Sequence, residues 1–247
     1  MNPIEVIGHR GYSAVAPENT LVSLEAALTA GAHAVEFDLH VARCGTPILF
    51  HDERLERTTD GGGLVAEQTL EQLRGLDAGT WFSTEFAGER IPSFVEALEL
   101  LDGRVDHLYP EVKRFRRPED VAHIVRAVRD RNLLDHTTFI SIDWMALDHV
   151  RAEEPAVGIG FIVVSPDQFA EALARAARDP LAILDLSHEV ALADPSVVER
   201  ACAEGLEVAT WTVNDPEEAT VLRDAGVTRF TTDQVDRIVS WARSVGG

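Results

Sequence analysis

The chain has little cysteine and no long apolar run. Cys44 and Cys202 are its two cysteines in 247 residues, and they lie far apart without the spacing of a metal site, so a disulfide framework is not expected. No apolar run approaches the roughly 18 residues that a membrane-spanning helix needs. No basic and apolar leader precedes the first strand, so we expect a cytoplasmic protein without stable membrane association.

Basic residues are also scarce, with 22 Lys and Arg against 42 Asp and Glu and a formal charge of −20. Nucleic-acid binding requires clustered cations that neutralise phosphates, so a nucleic-acid partner is not expected. The same charge disfavours electrostatic docking on an anionic membrane and is most simply a contribution to solubility. With 45% hydrophobic residues, the length suits one large domain with a substantial core.

Short apolar runs alternate with amphipathic stretches along the chain, which is typical of repeated βα units. Strands are predicted near residues 4–8, 34–40, 107–113, 137–142, 157–163, 181–186, 207–212 and 228–232. Helices are predicted between them, for example over residues 18–30, 118–131, 166–177, 195–204 and 216–224. Eight parallel strands in about 250 residues predict a single α/β domain over residues 1–247, a distorted (β/α)8 TIM barrel.

A further apolar segment, residues 47–50, follows the second strand after only about five residues, whereas a parallel crossover needs a dozen or more. We therefore predict that it is the return arm of a hairpin around residues 43–46 that rises above the barrel mouth. His51, at the end of this arm, would then lie over the carboxyl ends of the strands. The stretch over about residues 57–90 is predicted to be a small insertion beside the same face.

Three acidic residues share the inward-facing rows of two predicted strands. Side chains alternate along a strand, so Glu36 and Asp38 lie opposite an apolar row, and Glu111 shares its face with Lys113. Three converging carboxylates repel one another unless a cation lies between them. All-oxygen ligation selects a hard ion, Mg²⁺ or Ca²⁺, over zinc. The alternative is that they are ordinary carboxylates in ion pairs.

His9 and His51 are candidates for a general acid and a general base, because imidazole titrates near neutral pH. His9 ends the first strand beside Arg10, and His51 ends the hairpin. Arg10 suits a bidentate contact with phosphate oxygens, and Lys113 supplies a point charge. The remaining histidines are interpreted as structural, at positions 33, 40, 107, 123, 136, 149 and 188.

Other polar residues near strand ends have two interpretations each. Glu18 and Asn19 precede a helix, where they could cap it or help to hold a metal or its waters. Trp211 ends the seventh barrel strand and could line the substrate pocket or belong to the core. The sequence does not choose among four further acids, Glu53, Asp143, Asp185 and Asp233.

These features occur in an order that resembles the glycerophosphodiester phosphodiesterase family. The matching segments are His9-Arg10-Gly11, Ala16-Pro17-Glu18-Asn19-Thr20, Glu36-x-Asp38, Phe50-His51-Asp52, Arg57-x-Thr59-x-Gly61, Leu76-Asp77-Ala78-Gly79-x-Trp81-Phe82, Ile91-Pro92-Ser93, Glu111-x-Lys113 and Trp211-Thr212-Val213-Asn214. The resemblance covers essentially the whole chain and is strongest over residues 9–113. Two departures are Cys44, where an aspartate is common, and a last strand without the usual Asp-Gly before it and Pro after it.

The resemblance implies a distorted barrel that hydrolyses a glycerophosphodiester, a small-molecule substrate, to glycerol 3-phosphate and an alcohol. It implies the following roles: a divalent Ca²⁺ or Mg²⁺ ion on Glu36, Asp38 and Glu111, with Glu18 in the same shell; His9 and His51 as the acid–base pair; Arg10 and Lys113 on the phosphate; and Trp211 on the glycerol side.

Two rival functions remain open at this stage. A phospholipase D-like or C-like enzyme acting on lysolipid or lipid phosphodiesters would need an apolar lip or a basic patch, and the insertion offers only Trp81, Phe82 and Phe86 among acidic neighbours. A non-catalytic phosphodiester sensor would not need two histidines in these positions. The sequence leaves open the head group, the choice of metal, the role of each histidine, the nucleophile and the oligomeric state.

Overall fold

A closed barrel of parallel strands forms the centre of the computed structural model, which describes residues 3–246. The strands in this range are β1 Glu5–Gly8, β2 Ala34–Val41, β3 Pro47–Leu49, β4 His107–Val112, β5 Thr138–Ser141, β6 Gly158–Val163, β7 Ala182–Ser187, β8 Glu207–Trp211 and β9 Arg229–Thr232. All except β3 run parallel to their neighbours, and β1 pairs with both β2 and β9, which closes the ring. The predicted TIM barrel is confirmed.

Helices connect successive strands and cover the outside of the barrel. Within residues 3–246 they are α1 Leu21–Thr29, α2 Leu70–Arg74, α3 Phe94–Leu101, α4 Pro118–Arg129, α5 Trp144–Glu153, α6 Pro166–Ala176, α7 His188–Ala193, α8 Ser196–Ala203, α9 Pro216–Ala225 and α10 Val235–Val245. Three of them begin with a proline, whose missing N–H has no acceptor in a first turn. None of the described helices combines the length and apolar character required for a membrane span.

Helix α1 begins at Leu21, three residues after its predicted start at residue 18, and Thr20 is its N-cap. The Thr20 hydroxyl accepts from the backbone N–H of Ser23, as a helix cap does. Asn19, just before it, has a φ of 57°, a left-handed backbone that cannot continue into a helix. Glu18 and Asn19 therefore belong to the loop after β1, near the ends of the strands.

The predicted hairpin is confirmed by the antiparallel pairing of β2 with β3, in which Leu39 faces Leu49 and Val41 faces Pro47. The chain that follows forms the insertion, which packs on this hairpin through a small core of its own. That core comprises Ala42, Ile48, Phe50, Leu55, Val65, Leu73, Ala78 and Ile91. The hairpin and the insertion thus share apolar contacts, which hold His51 and its neighbours beside the barrel mouth.

Strand alternation divides the barrel into an outer core and an inner one. The outward row of β2 is buried against the helices, and burying a large side chain such as Phe37 contributes about 1.5–3 kcal/mol. The inner core lies inside the barrel and comprises Ile7, Ala34, Tyr109, Ile140, Ile162, Ile183 and Ala209. Glu36 and Asp38 lie in the inward row of β2, as predicted, and both are buried.

Candidate active site

Glu36, Asp38 and Glu111 meet inside the barrel mouth. One carboxylate oxygen from each lies within 4.8 Å of the other two. The register of β2 and β4 explains this meeting, because Asp38 is paired with Glu111 and Glu36 lies two residues earlier on the same face. All three are buried, and Glu36 Oε1 has no hydrogen-bond partner within residues 3–246. This donor set and its unsatisfied oxygen fit a hard divalent cation.

The charges of this cluster are not balanced by the protein alone. Burial, followed by repulsion from Asp38 and Glu111, raises the pKa of Glu36 well above its ordinary value, and burial also raises the pKa of Glu111. Burial acts in the same direction on Asp38, but Arg10 and Lys113 outweigh it and leave the Asp38 pKa lowered. A bound cation would allow all three carboxylates to ionise together.

Two cations border the cluster. Arg10 Nε lies 3.2 Å from Asp38 Oδ2, and Lys113 Nζ lies 3.0 Å from Glu111 Oε1. The backbone N–H of Arg10 donates to Glu36 Oε2 at 2.9 Å. Gly11 permits this tight turn, because it has a φ of 88° and a Cβ there would lie 2.6 Å from the Ser23 carbonyl oxygen. Arg10 and Lys113 thus place two cationic groups directly beside the carboxylates.

His9 is oriented by an aspartate that directly follows the last strand. Its Nδ1 lies 2.7 Å from Asp233 Oδ1. Burial raises the pKa of Asp233, but hydrogen bonds from His9, Asn214 and Ser13 outweigh burial and leave it well below its usual range. An ionised carboxylate can only accept, so His9 Nδ1–H is the donor, and His9 Nε2 lies on the cluster side, 3.9 Å from Glu36 Oε2.

His51 has a corresponding aspartate within its own loop. Its Nδ1 lies 2.5 Å from Asp52 Oδ1. Hydrogen bonds from Arg57 are the largest cause that lowers the pKa of Asp52, to about 2, so Asp52 is ionised and accepts from His51. Burial lowers the pKa of His51 from its ordinary value. With Nδ1 bound to Asp52, the other ring nitrogen of His51, Nε2, is left for other contacts.

Glu18 and Asn19 contact other site residues and do not cap α1. Glu18 accepts from Arg10 Nη1 at 2.7 Å and from Arg57 Nη1 at 2.8 Å, so it lies outside the three-carboxylate cluster and joins two arginines. The Asn19 side chain donates to Asp38 Oδ2 at 2.7 Å and accepts from the Asp38 backbone N–H at 3.0 Å. Asn19 thereby fixes the orientation of Asp38.

These groups surround one cavity of about 100 Å³ at the barrel mouth. It is lined by His9, Arg10, Glu36, His51, Glu111, Lys113, Ile140, Ile142, Ile162, Asp185, Trp211 and Thr231. Two larger cavities share part of this lining, one of about 370 Å³ beside His51 and Glu53 and one of about 400 Å³ beside His9 and Asn214. Trp211 lines the central cavity, and its Nε1 has no hydrogen-bond partner within residues 3–246.

The structure selects Asp233 and Asp185 from the four acids that the sequence left undecided. Asp233 holds His9, and Asp185 lines the central cavity. Asp143 caps α5, and Glu53 pairs with Arg114. A sequence signal for Asp233 existed, because closing an eight-stranded barrel places the end of the last strand beside the end of the first.

The sequence and the fold both match known proteins. Residues 9–237 match the sequence model of the glycerophosphoryl diester phosphodiesterase family. A glycerophosphodiester phosphodiesterase of Caldanaerobacter subterraneus subsp. tengcongensis is 30% identical over 98% of each chain. An Oleispira antarctica phosphodiesterase, solved in complex with the product sn-glycerol-3-phosphate, has a TM-score of 0.87 and 32% identity, with 97% of this chain and 96% of that one covered. A glycerophosphodiester phosphodiesterase of Agrobacterium tumefaciens has a TM-score of 0.83 and 25% identity, with 96% and 99% covered.

Proposed function

The chain belongs to the glycerophosphoryl diester phosphodiesterase family, and we propose that it hydrolyses a glycerophosphodiester to glycerol 3-phosphate and an alcohol. The observation that carries this proposal is the pair of aspartate-oriented histidines on one cavity that also contains Arg10 and Lys113. The product complex of the Oleispira antarctica relative supports the same substrate class.

We propose that Glu36, Asp38 and Glu111 hold a Ca²⁺ or Mg²⁺ ion. The unsatisfied Glu36 oxygen and the raised pKa values of Glu36 and Glu111 support this assignment. Such an ion, when bound, polarises phosphoryl oxygens and neutralises charge that develops on them.

The protein's own cations orient the substrate. Arg10 is held by Glu18 and Asp38, so its guanidinium is fixed before a phosphate arrives. Lys113, half-buried beside Glu111, keeps its charge, because attraction to Asp38 and Glu111 outweighs the lowering effect of burial on its pKa. Both groups would hold the phosphate between the histidines.

Each histidine has one ring nitrogen held by an aspartate, which leaves the other for proton transfer. One histidine would take the proton of the nucleophile, which is either water or the neighbouring glycerol hydroxyl. Attack by the hydroxyl would form a cyclic phosphate, which water would then open to glycerol 3-phosphate. The other would give a proton to the leaving alcohol oxygen as its bond to phosphorus breaks. Asp233 and Asp52 stabilise the imidazolium that forms when each histidine is protonated.

The test is glycerol 3-phosphate release from glycerophosphocholine and glycerophosphoethanolamine. Metal-stripped protein is assayed first, and then the same protein with added Ca²⁺ or Mg²⁺. We expect release that depends on the added ion. Folded protein that releases no glycerol 3-phosphate with either ion would contradict the proposed reaction.

Hydrolysis of a lysolipid phosphodiester is a second candidate, favoured by apolar side chains at the mouth. Ile142 after β5, Met145 in the first turn of α5 and Val164 after β6 have exposed fractions of 42%, 60% and 41%. Ile142 also lines the central cavity. The few aromatic side chains of the insertion, by contrast, pack partly on one another, because Trp81 and Phe82 lie edge to face. Comparing turnover of a lysolipid with glycerophosphocholine discriminates the two candidates.

A further inference from the structure

Asp185 is a buried acid in the site that the proposed reaction does not use. It lies on the inward row of β7, is 3% exposed and lines the central cavity with His9 and Trp211. Its Oδ1 is buried and has no hydrogen-bond partner within residues 3–246. A buried carboxyl without a partner is costly, since it forfeits its interactions with water.

The charges around Asp185 do not compensate for this burial. Burial raises its pKa to about 8, Glu111 adds to this effect, and Arg229 opposes it. Arg229 lies at the amino-terminal end of β9, where its guanidinium donates to the Tyr109 hydroxyl at 2.7 Å and pairs with Glu207. No described side chain therefore satisfies Asp185, and the partner it lacks would come from a ligand in the cavity.

A second polar group without a hydrogen-bond partner lines the same cavity and restricts which kinds of ligand could bind there. Trp211 Nε1 is a buried donor without a partner in residues 3–246, and β8 is the neighbour of β7, with Trp211 paired to Ser187 and Ala209 to Asp185. Ile140, Ile142 and Ile162 supply an apolar part of the same wall. Hydroxyl groups both donate and accept hydrogen bonds. A short polyol could therefore donate to the Asp185 carboxyl, accept from the Trp211 indole N–H and pack its carbon atoms against the isoleucines.

We propose that Asp185 is a specificity-determining residue whose Oδ1 accepts a hydrogen bond from a hydroxyl group of the substrate's glycerol moiety. This inference rests on the proposed function, because that function supplies the glycerol. Asp185 contacts the part of the substrate that Trp211 also borders, while the phosphate lies with Arg10 and Lys113. The residue thus selects glycerol over an alkyl group of the same length.

The test compares two ligands that share a phosphate and differ in hydroxyl groups. Binding of sn-glycerol 3-phosphate and of propyl phosphate to Ca²⁺-loaded or Mg²⁺-loaded protein is measured by calorimetry. The wild-type protein should bind glycerol 3-phosphate more tightly. Asp185→Ala should lower the affinity for glycerol 3-phosphate on the order of 10-fold, as expected for the loss of one hydrogen bond. The affinity for propyl phosphate should not change.

Two further variants separate recognition from a structural effect. Asp185→Asn retains the shape and one carbonyl oxygen, so its loss of affinity should be smaller than that of Asp185→Ala. Thr210→Val is the matched control, because Thr210 Oγ1 is also buried without a partner in residues 3–246, but it shares its strand row with Val208, which faces the helices. This control should leave both affinities unchanged.

Equal weakening of both ligands by Asp185→Ala, or a wild-type protein without preference for glycerol 3-phosphate, would overturn the inference. Because calorimetry needs no turnover, its result is independent of the phosphodiesterase assay. A protein that prefers glycerol 3-phosphate through Asp185 but releases none from glycerophosphodiesters would uphold this inference and refute the proposed reaction.

Discussion

Asp233 accepts a hydrogen bond from His9 at 2.7 Å, although 224 positions separate the two residues in the chain. Closure of the barrel makes this contact, because β1 pairs with β9. Gly8 and Thr232, the last residues of these strands, face each other and directly precede His9 and Asp233. His51 receives the same kind of contact from its sequence neighbour Asp52. Two histidines thus have equivalent partners, one supplied locally and one by the far end of the chain.

Replacing Asp233 by Asn should lower kcat on the order of 10²-fold, because an amide can donate to His9 Nδ1 and so favour the wrong tautomer. Steady-state kinetics with glycerophosphocholine measures this effect. Asp224→Asn is the control, since Asp224 is an exposed aspartate that pairs with Arg223. A wild-type kcat in Asp233→Asn would remove the orienting role from Asp233.

Replacing either site histidine by Ala should reduce turnover by roughly 10²- to 10⁴-fold, the usual contribution of a positioned acid or base. The two single variants, His9→Ala and His51→Ala, are compared with His123→Ala, which changes an exposed histidine. The assignment of both histidines would be wrong if both site variants kept near-wild-type turnover.

Glu36→Gln should weaken metal binding without destabilising the metal-free protein. Removing one of three repelling carboxylates should leave the melting temperature of the metal-free protein equal or higher, because burial already raises the pKa of Glu36. The free energy of unfolding of the wild-type protein should rise by about 2.7 kcal/mol when the metal concentration is 100 times the Kd of the metal site. The same metal concentration should raise the stability of the variant much less.

Thermal unfolding with a chelator and then with Ca²⁺ or Mg²⁺ measures both effects of Glu36→Gln. Metal-dependent activity should be lost in the same variant. If added metal still activated it, Glu36 would not be a ligand.

Arg57 is a half-exposed side chain that should nevertheless matter for catalysis, because it holds both Asp52 and Glu18. Arg57→Ala should lower kcat by about 10-fold through the looser orientation of His51. Arg54→Ala is a matched control on the same loop, since Arg54 pairs with Glu56 at the surface. Equal kinetics for these two variants would show that the contacts of Arg57 do not orient the site.

Asp185→Asn should change the pH dependence of stability in the metal-free protein. Burial raises the folded-state pKa of Asp185 from 3.8 to about 8, so the folded protein binds more protons than the unfolded chain between these values. The Asp185 contribution therefore destabilises the wild-type protein progressively as pH rises through this window, and Asn cannot ionise.

Denaturant unfolding at pH 4 and at pH 8 should show equal free energies of unfolding for both proteins at the lower pH. At the higher pH the Asp185→Asn variant should be more stable by more than about 1 kcal/mol. If the two proteins differed in free energy of unfolding by the same amount at pH 4 and pH 8, the pKa of Asp185 would not be raised in the folded protein.

Local periodicity accounts for the part of the site that the sequence predicts. Glu36, Asp38 and Glu111 follow from the period of two along strands, and the position of His51 follows from a connection too short for a parallel crossover. These patterns extend over a few residues, so one sequence is enough to recognise them.

Contacts that depend on ring closure or on special backbone geometry were not predicted. The Asp233 contact with His9 requires the pairing of the first and last strands. Asn19 reaches Asp38 because its left-handed backbone ends the loop before α1, whereas the hydrophobic pattern alone extended that helix to residue 18. The unsatisfied Asp185 can be recognised only once its surroundings are known.

The insertion contributes Arg57 to the site while relying on a core far smaller than that of the barrel. Proteins open locally in cooperative units, and a unit with few buried apolar contacts opens at a lower free energy than the whole. An opening of the insertion would release Asp52 and Glu18 together, and His51 would lose its fixed orientation. Heating should therefore inactivate this enzyme reversibly at temperatures where the barrel itself is still intact.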